Sequence, residues 1–214
     1  MISRLQYISQ QTETLSHLAA IRQALAAGCN WVQLRVKNQP EEDVLALARE
    51  AKTLCAQFGA KLIINDFPEV AKAVGADGLH LGLTDRPIAA ARAVVGEKMI
   101  IGGTANTLAD VRQRAAEGAN YIGLGPFRFT STKEKLSPVL GLAGYQVLLQ
   151  QLRAEGITIP IIAIGGIGLA DVESLLETGL HGIAVSGALT HAADPAQFVQ
   201  EVQQRLNRNV EYQK

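Results

Sequence analysis

Eight times along this chain a short apolar run is followed by a longer amphipathic segment, and few folds accept that pattern. The runs fall at residues 5–9, 31–35, 61–66, 78–81, 99–104, 121–125, 159–165 and 182–186. They are rich in β-branched residues and almost continuously apolar, as strands covered on both faces are. Helical patterns lie between them at 15–27, 41–58, 68–74, 87–95, 108–117, 142–155, 169–177 and 195–206. The first of these places Leu15, Leu18, Ile21 and Leu25 on one face. Gly28, Gly59, Gly75, Gly96, Gly118, Gly156 and Gly179 stand at helix ends, where a left-handed cap is expected. Pro40, Pro68, Pro87 and Pro195 stand near helix starts, where a missing amide costs little. Eight strand–helix units predict an α/β fold, a single-domain (β/α)8 TIM barrel over residues 1–207 with a tail at 208–214. A doubly wound open sheet is the alternative, because some of the runs are short.

With 214 residues, 48% of them hydrophobic, the chain can fill one large core. Its 20 acidic and 20 basic side chains cancel, so no global field draws it to nucleic acid or to an anionic membrane. Affinity for anions must come from local clusters. The first ten residues contain Arg4, Gln6 and Gln10 and offer no secretory apolar core. Cys29 and Cys55 form no metal-spacing motif and read as small apolar fillers. The simplest expectation is a reduced, cytoplasmic protein.

In a barrel of this kind, catalytic groups sit where strands end. Gln33 and Arg35 share one face of the second strand, and Lys37 continues it. Two cations and an amide there suit an anion, or an internal acid paired with Arg35. The third strand ends at Asn65 and Asp66, and Asp85 follows the fourth. Two carboxylates from neighbouring strand ends can share one Mg2+; Asp85 can instead cap the helix near Pro87. His80, inside an apolar strand, reads as a satisfied core histidine. Thr104 ends the fifth strand and offers a hydroxyl, and Thr107 reads as a helix N-cap. Thr130, Ser131, Thr132 and Lys133 follow the sixth strand, a set that suits phosphate oxygens or an ordinary polar loop. Gly165 and Gly166 follow the seventh strand, and Ser186 and Gly187 the eighth, where barrels of this kind often bind phosphate. Two phosphorylated ligands, one a metal-bound diphosphate, would then face each other across the mouth, as group transfer with departing pyrophosphate requires.

In order along the chain, Gln33-Leu-Arg-Val-Lys37, Ile64-Asn-Asp66, the segment 78–85, Tyr121-Ile-Gly-Leu-Gly-Pro126, Thr130-Ser-Thr-Lys133, Ala163-Ile-Gly-Gly-Ile167 and the segment 182–189 closely resemble the thiamine phosphate synthase family. The resemblance covers nearly the whole chain. It implies a transferase that joins hydroxymethylpyrimidine diphosphate to thiazole phosphate, releasing pyrophosphate. By the same resemblance Gln33, Arg35, Lys37, Asn65, Thr104 and Lys133 hold the pyrimidine diphosphate, with Arg35, Lys37 and Lys133 catalytic. Asp66 and Asp85 hold Mg2+. Thr130, Ser131, Thr132, Gly166, Ser186 and Gly187 hold the thiazole phosphate. The partners implied are these small molecules, with a homo-oligomer left open.

Some positions depart from the family pattern. Phe67 stands for an arginine, Leu83 for a glutamine, Thr104 for a serine, Arg128-Phe129 for Phe-Pro, and Ser131 for a proline. Other readings on the same scaffold are a thiazole tautomerase-like isomerase, another phosphate-binding barrel, and a non-catalytic binder of thiamine precursors. The full set of Arg35, Lys37, Asp66, Asp85 and Lys133 favours the synthase.

Overall fold

The computed structural model describes residues 1–129 and 138–211, with backbone alone from residue 209. Its strands are β1 (Leu5–Ile8), β2 (Trp31–Leu34), β3 (Lys61–Asn65), β4 (Gly78–Leu81), β5 (Ile100–Ala105), β6 (Tyr121–Leu124), β7 (Ile161–Ala163) and β8 (Gly182–Val185). Each pairs in parallel with the next, and β1 pairs with β8, so the sheet closes into an eight-stranded barrel. The open-sheet alternative is excluded by that closing pair.

The helices are α1 (His17–Ala26), α2 (Glu41–Gln57), α3 (Pro68–Ala73), α4 (Ile88–Val95), α5 (Leu108–Ala116), α6 (Gly141–Ala154), α7 (Val172–Glu177), α8 (Gly187–Thr190) and α9 (Pro195–Glu211). The seven helix-end glycines all have positive φ, as expected of left-handed caps. Thr107 caps α5: its hydroxyl accepts from the Asp110 amide at 3.2 Å, and Asp110 accepts from the Thr107 amide at 2.9 Å. The helix expected over 169–177 is divided. A 3-10 turn at Leu169–Asp171 precedes α7, because the Asp171 carboxylate accepts from the Gly168 amide at 2.9 Å and tightens the turn. The α8 turn directly after β8 was not expected from the pattern.

Strand side chains alternate between two apolar compartments. Outward residues such as Val32, Leu62, Ile64, Leu79 and Ile101 pack under the helices, with Cys29 and Cys55 among them. Burial pushes both thiols up, to about 11 and about 12, so they serve as inert fillers. Inward residues Trp31, Ile63, Tyr121, Ile162, Ile164 and Ala184 fill the barrel. This alternation fixes the site. Two residues beyond Trp31 comes Gln33, beyond Ile63 comes Asn65, and beyond Ala184 comes Ser186, each carried inward at the C-terminal rim. Among the described residues, no helix is long and apolar enough to cross a membrane.

Candidate functional site

The ends of β3 and β4 bring two carboxyl groups together. Asp66 follows β3 in a left-handed conformation (φ 68°), which Asp tolerates better than most residues and which turns its side chain toward β4. Its amide donates to the His80 carbonyl at 2.9 Å, fixing the turn to the neighbouring strand. The Asp66 and Asp85 carboxyl groups lie within hydrogen-bonding reach of each other. Burial, then the contact with Asp85, pushes Asp66 up to about 6, against the pull of Lys37. Burial also works to raise Asp85, but the hydrogen bonds from Asp66 and from the Gly82 amide outweigh it and hold Asp85 below the usual carboxylate range. The opposite directions describe a pair that takes up its first proton on Asp66, as pH falls through about 6, while Asp85 stays ionised.

Asp85 does not cap α4. That helix has Pro87 at its N-cap and no side-chain cap bond. Asp85 reaches back instead, accepting from the Gly82 amide at 2.6 Å. A Cβ on Gly82 would stand 2.8 Å from that oxygen, so a side chain there would push the Asp85 carboxylate out of this position. Lys37, after the neighbouring strand β2, forms an ion pair with Asp66.

Asn65 is 5% exposed, and its Nδ2 has no hydrogen-bond partner among the described residues. Such a buried donor costs about 1–3 kcal/mol unless something accepts from it. It stands beside Asp66, where a ligand oxygen would arrive. After the neighbouring strand β2, the Arg35 amide donates to Ser9 Oγ at 3.0 Å, and Ser9 Oγ is 2.9 Å from His17 Nδ1. These contacts fix the backbone from which the Arg35 guanidinium extends. Burial, and then the Arg35 charge, lower the His17 pKa, so the imidazole stays neutral beside that cation.

Gln33 and Thr104, assigned to the pyrimidine by resemblance, both lie inside the barrel at its rim. His80 is satisfied, as expected of a core histidine: Nδ1 is 3.0 Å from the Tyr121 hydroxyl and Nε2 is 3.0 Å from Thr104 Oγ1.

The opposite side of the mouth is built from backbone. Gly165 and Gly166 both have positive φ, at 93° and 70°. A Cβ on Gly166 would meet Arg128 Cβ at 2.9 Å, so neither conformation nor space admits a side chain. Arg128, where the family has phenylalanine, spans to Asp171 with bonds of 2.5 and 2.6 Å and lies over the Phe127 ring at 4.6 Å. It ties the loop after β6 to the turn before α7. Ser186 donates to Gln10 Oε1 at 3.3 Å, and Gly187 opens α8. Thr130, Ser131, Thr132 and Lys133 lie outside the described residues. Of the other departures, Phe67 packs partly buried against the core, and Leu83 is exposed.

Gln6, Ser9 and Gln10 were not singled out from the sequence, although a glutamine within the apolar run of β1 was a legible signal. A cavity of about 520 Å³ lies elsewhere, lined by Arg4, Arg153, Pro160 and His181 at the N-terminal ends of the strands, and holds none of the expected site residues.

The family model described as thiamine monophosphate synthase matches residues 5–189. A thiamine-phosphate synthase of Flavobacterium johnsoniae is 50% identical over 210 residues, covering 98% of this chain and 99% of that protein. One of Bacteroides fragilis is 51% identical over 203 residues, covering 95% of this chain and 98% of that protein. The solved thiamine phosphate pyrophosphorylase of Pyrococcus furiosus superposes with a TM-score of 0.82 at 29% identity, covering 97% of this chain and 96% of that one. A 3-hexulose-6-phosphate synthase shares the fold alone, at 16% identity and a TM-score of 0.69, covering 95% of this chain and 100% of that one.

Proposed function

The chain belongs to the thiamine monophosphate synthase family, and we propose that its barrel mouth holds hydroxymethylpyrimidine diphosphate over β2–β5 and thiazole phosphate over β7 and β8. The enzyme condenses these two small molecules into thiamine phosphate and pyrophosphate. The observation that carries the assignment of sides is the contact between Asp66 and Asp85. Two carboxyl groups within hydrogen-bonding reach of each other, both hard oxygen donors, form a donor set that would suit Mg2+.

Asp66 and Asp85 would hold the ion. When bound, it would supply positive charge against the leaving diphosphate. Arg35, Lys37 and Lys133 add fixed positive charge on the same group. Gln33, Asn65 and Thr104 hold the pyrimidine and its diphosphate, with the Asn65 Nδ2 hydrogen finding its acceptor there.

The reacting carbon is an exocyclic methylene on an electron-rich aminopyrimidine. Pyrophosphate leaves with the bonding electron pair, and the ring delocalises the resulting positive charge. The thiazole nitrogen then attacks the methylene. Thr130, Ser131, Thr132, Gly166, Ser186 and Gly187 hold the thiazole phosphate so that this nitrogen stands beside the methylene. No side-chain nucleophile is needed. Relatives about 50% identical are thiamine-phosphate synthases, and a cytoplasmic location fits that role.

Calorimetric titration with inorganic pyrophosphate, with and without MgCl2, tests the assignment. Pyrophosphate should bind with Mg2+ present, and at least about tenfold more weakly to Asp66→Asn and Asp85→Asn, the usual cost of losing a ligand or its support. Equal binding by the variants would reject Asp66 and Asp85 as the metal-holding pair.

A further inference from the structure

We propose that Gln6, Tyr121 and His80 are positioning residues: a hydrogen-bonded relay through them makes Thr104 a donor and Gln33 an acceptor toward the aminopyrimidine ring. The proposal rests on the substrate assignment above and adds what selects the ring.

The relay crosses the inside of the barrel. Gln33 Nε2 donates to Gln6 Oε1 at 3.5 Å, and Gln6 Nε2 donates to the Tyr121 hydroxyl oxygen at 3.4 Å. The Tyr121 hydroxyl lies 3.0 Å from His80 Nδ1, and His80 Nε2 lies 3.0 Å from Thr104 Oγ1. Gln6, Gln33, Tyr121 and His80 are 1%, 2%, 0% and 6% exposed, so water does not compete along the line.

The space for it is provided by glycine. A Cβ on Gly102 would lie 2.1 Å from Tyr121 Cζ, and one on Gly123 would lie 3.0 Å from His80 Cε1. Trp31 packs edge-on against Tyr121, with ring centroids 5.0 Å apart at 72°. The phenol and imidazole are therefore held by β5, β6 and the tryptophan of β2.

Proton accounting gives the relay its direction. The Tyr121 oxygen accepts from Gln6, with Gln33 also within hydrogen-bonding reach of it, and the relay assigns its single proton to His80 Nδ1. Burial raises the Tyr121 pKa, so that proton stays in place. An imidazole accepting at Nδ1 is neutral and carries its proton on Nε2, where it donates to Thr104 Oγ1. The Thr104 hydroxyl proton is then not used by the relay and is available to a ligand acceptor. At the other end, Gln33 spends an N–H on Gln6, and the relay leaves its Oε1 available to accept.

An aminopyrimidine presents the complement, an acceptor ring nitrogen and a donor amino group. A ring with oxygen in place of the amino group presents an acceptor where the amino group donates, and a site built for the donor rejects it. The Ser-to-Thr change at position 104 keeps the hydroxyl and so keeps the relay's last member.

The test compares kcat/KM for the natural diphosphate with that for its analogue carrying an oxo group in place of the amino group. It uses the full-length wild type, Tyr121→Phe, and Gln6→Met. Tyr121→Phe keeps the ring and its packing; Gln6→Met keeps the side-chain length and is the second reading if the first variant does not fold. Wild type should prefer the amino substrate by at least about 100-fold, as sites built around a substrate N–H do. Either variant should reduce that preference at least about tenfold while the KM for thiazole phosphate stays within about twofold, since cutting the relay removes a polarity and not the pocket. A loss of rate equal for both substrates, with the preference intact, would show a merely structural role and overturn the proposal. A wild type that turns over neither substrate would instead reject the substrate assignment itself, and the relay's role with it.

Discussion

Lys37 forms its ion pair with Asp66 Oδ2, the same carboxylate that would hold the metal. Lysine and metal would therefore draw on one group, and a bound metal would leave the lysine ammonium for the diphosphate. The Lys37 side chain is 45% exposed, so the pair itself contributes only about 0–1 kcal/mol to stability. Lys37→Met should leave the denaturation midpoint nearly unchanged and lower kcat/KM for the pyrimidine diphosphate by roughly 100-fold, the scale of one preorganised charge. Urea titration and steady-state kinetics on the same preparation check both halves; a destabilised but fully active variant would contradict the role.

The Asp66 shift has a consequence for stability without metal. Its carboxyl is raised from 3.8 to about 6 by burial and by Asp85. The folded protein therefore holds this proton more tightly than the unfolded chain does. The stabilisation is fully present below about pH 4 and is lost as pH rises through about 6. Asp85, held low, acts in the opposite sense at the acid end, its contribution lost as pH falls below the usual carboxylate range. Metal-free protein should lose thermal stability as pH rises from about 4 through about 6, less so in Asp66→Asn, and MgCl2 should restore it at about pH 7. Melting curves across that range decide the matter, and a wild type and variant with parallel profiles would refute it.

Asn65 offers a sharper separation of function from stability. Its buried Nδ2 has no partner among the described residues, so the fold bears its desolvation without return. Asn65→Leu should keep the melting temperature or raise it, by up to about 1 kcal/mol of stability, while weakening pyrophosphate binding in the presence of Mg2+. A clear fall in stability with binding intact would reverse the assignment.

Much of this site was legible before the fold was known. The period-two alternation of strands carries Gln33, Asn65, Thr104 and Ser186 to one rim once Trp31, Ile63, Gly102 and Ala184 are read as interior. The pairing of Asp66 with Asp85 followed from their places after adjacent strands. The Asp85 partner did not, because a backward bond to the Gly82 amide and a forward helix cap share the same sequence signature. The division of residues 169–177 was hidden as well, since it depends on how Asp171 is held, locally by the Gly168 amide and from outside by Arg128. The interior relay was the least legible part. Gln6 and Tyr121 are 115 residues apart and meet only because the sheet closes.

Gly166 combines a φ of 70° with Arg128 Cβ only 2.9 Å from where its own Cβ would lie. Gly166→Ala should cost about 1–3 kcal/mol of stability. It should also raise the KM for thiazole phosphate while leaving that for the pyrimidine diphosphate nearly unchanged. Two-substrate kinetics, varying one while saturating with the other, shows whether β7 belongs to the thiazole side; a rise confined to the pyrimidine KM would place it on the wrong side.

The most direct measurement supplies the purified chain with hydroxymethylpyrimidine diphosphate and thiazole phosphate and follows thiamine phosphate and pyrophosphate together, first with EDTA and then with excess MgCl2. The account predicts equimolar products that appear with Mg2+, are suppressed by EDTA, and are lost in Asp66→Ala and in Lys133→Ala. Undiminished turnover in EDTA, or no product with Mg2+ present, would contradict it.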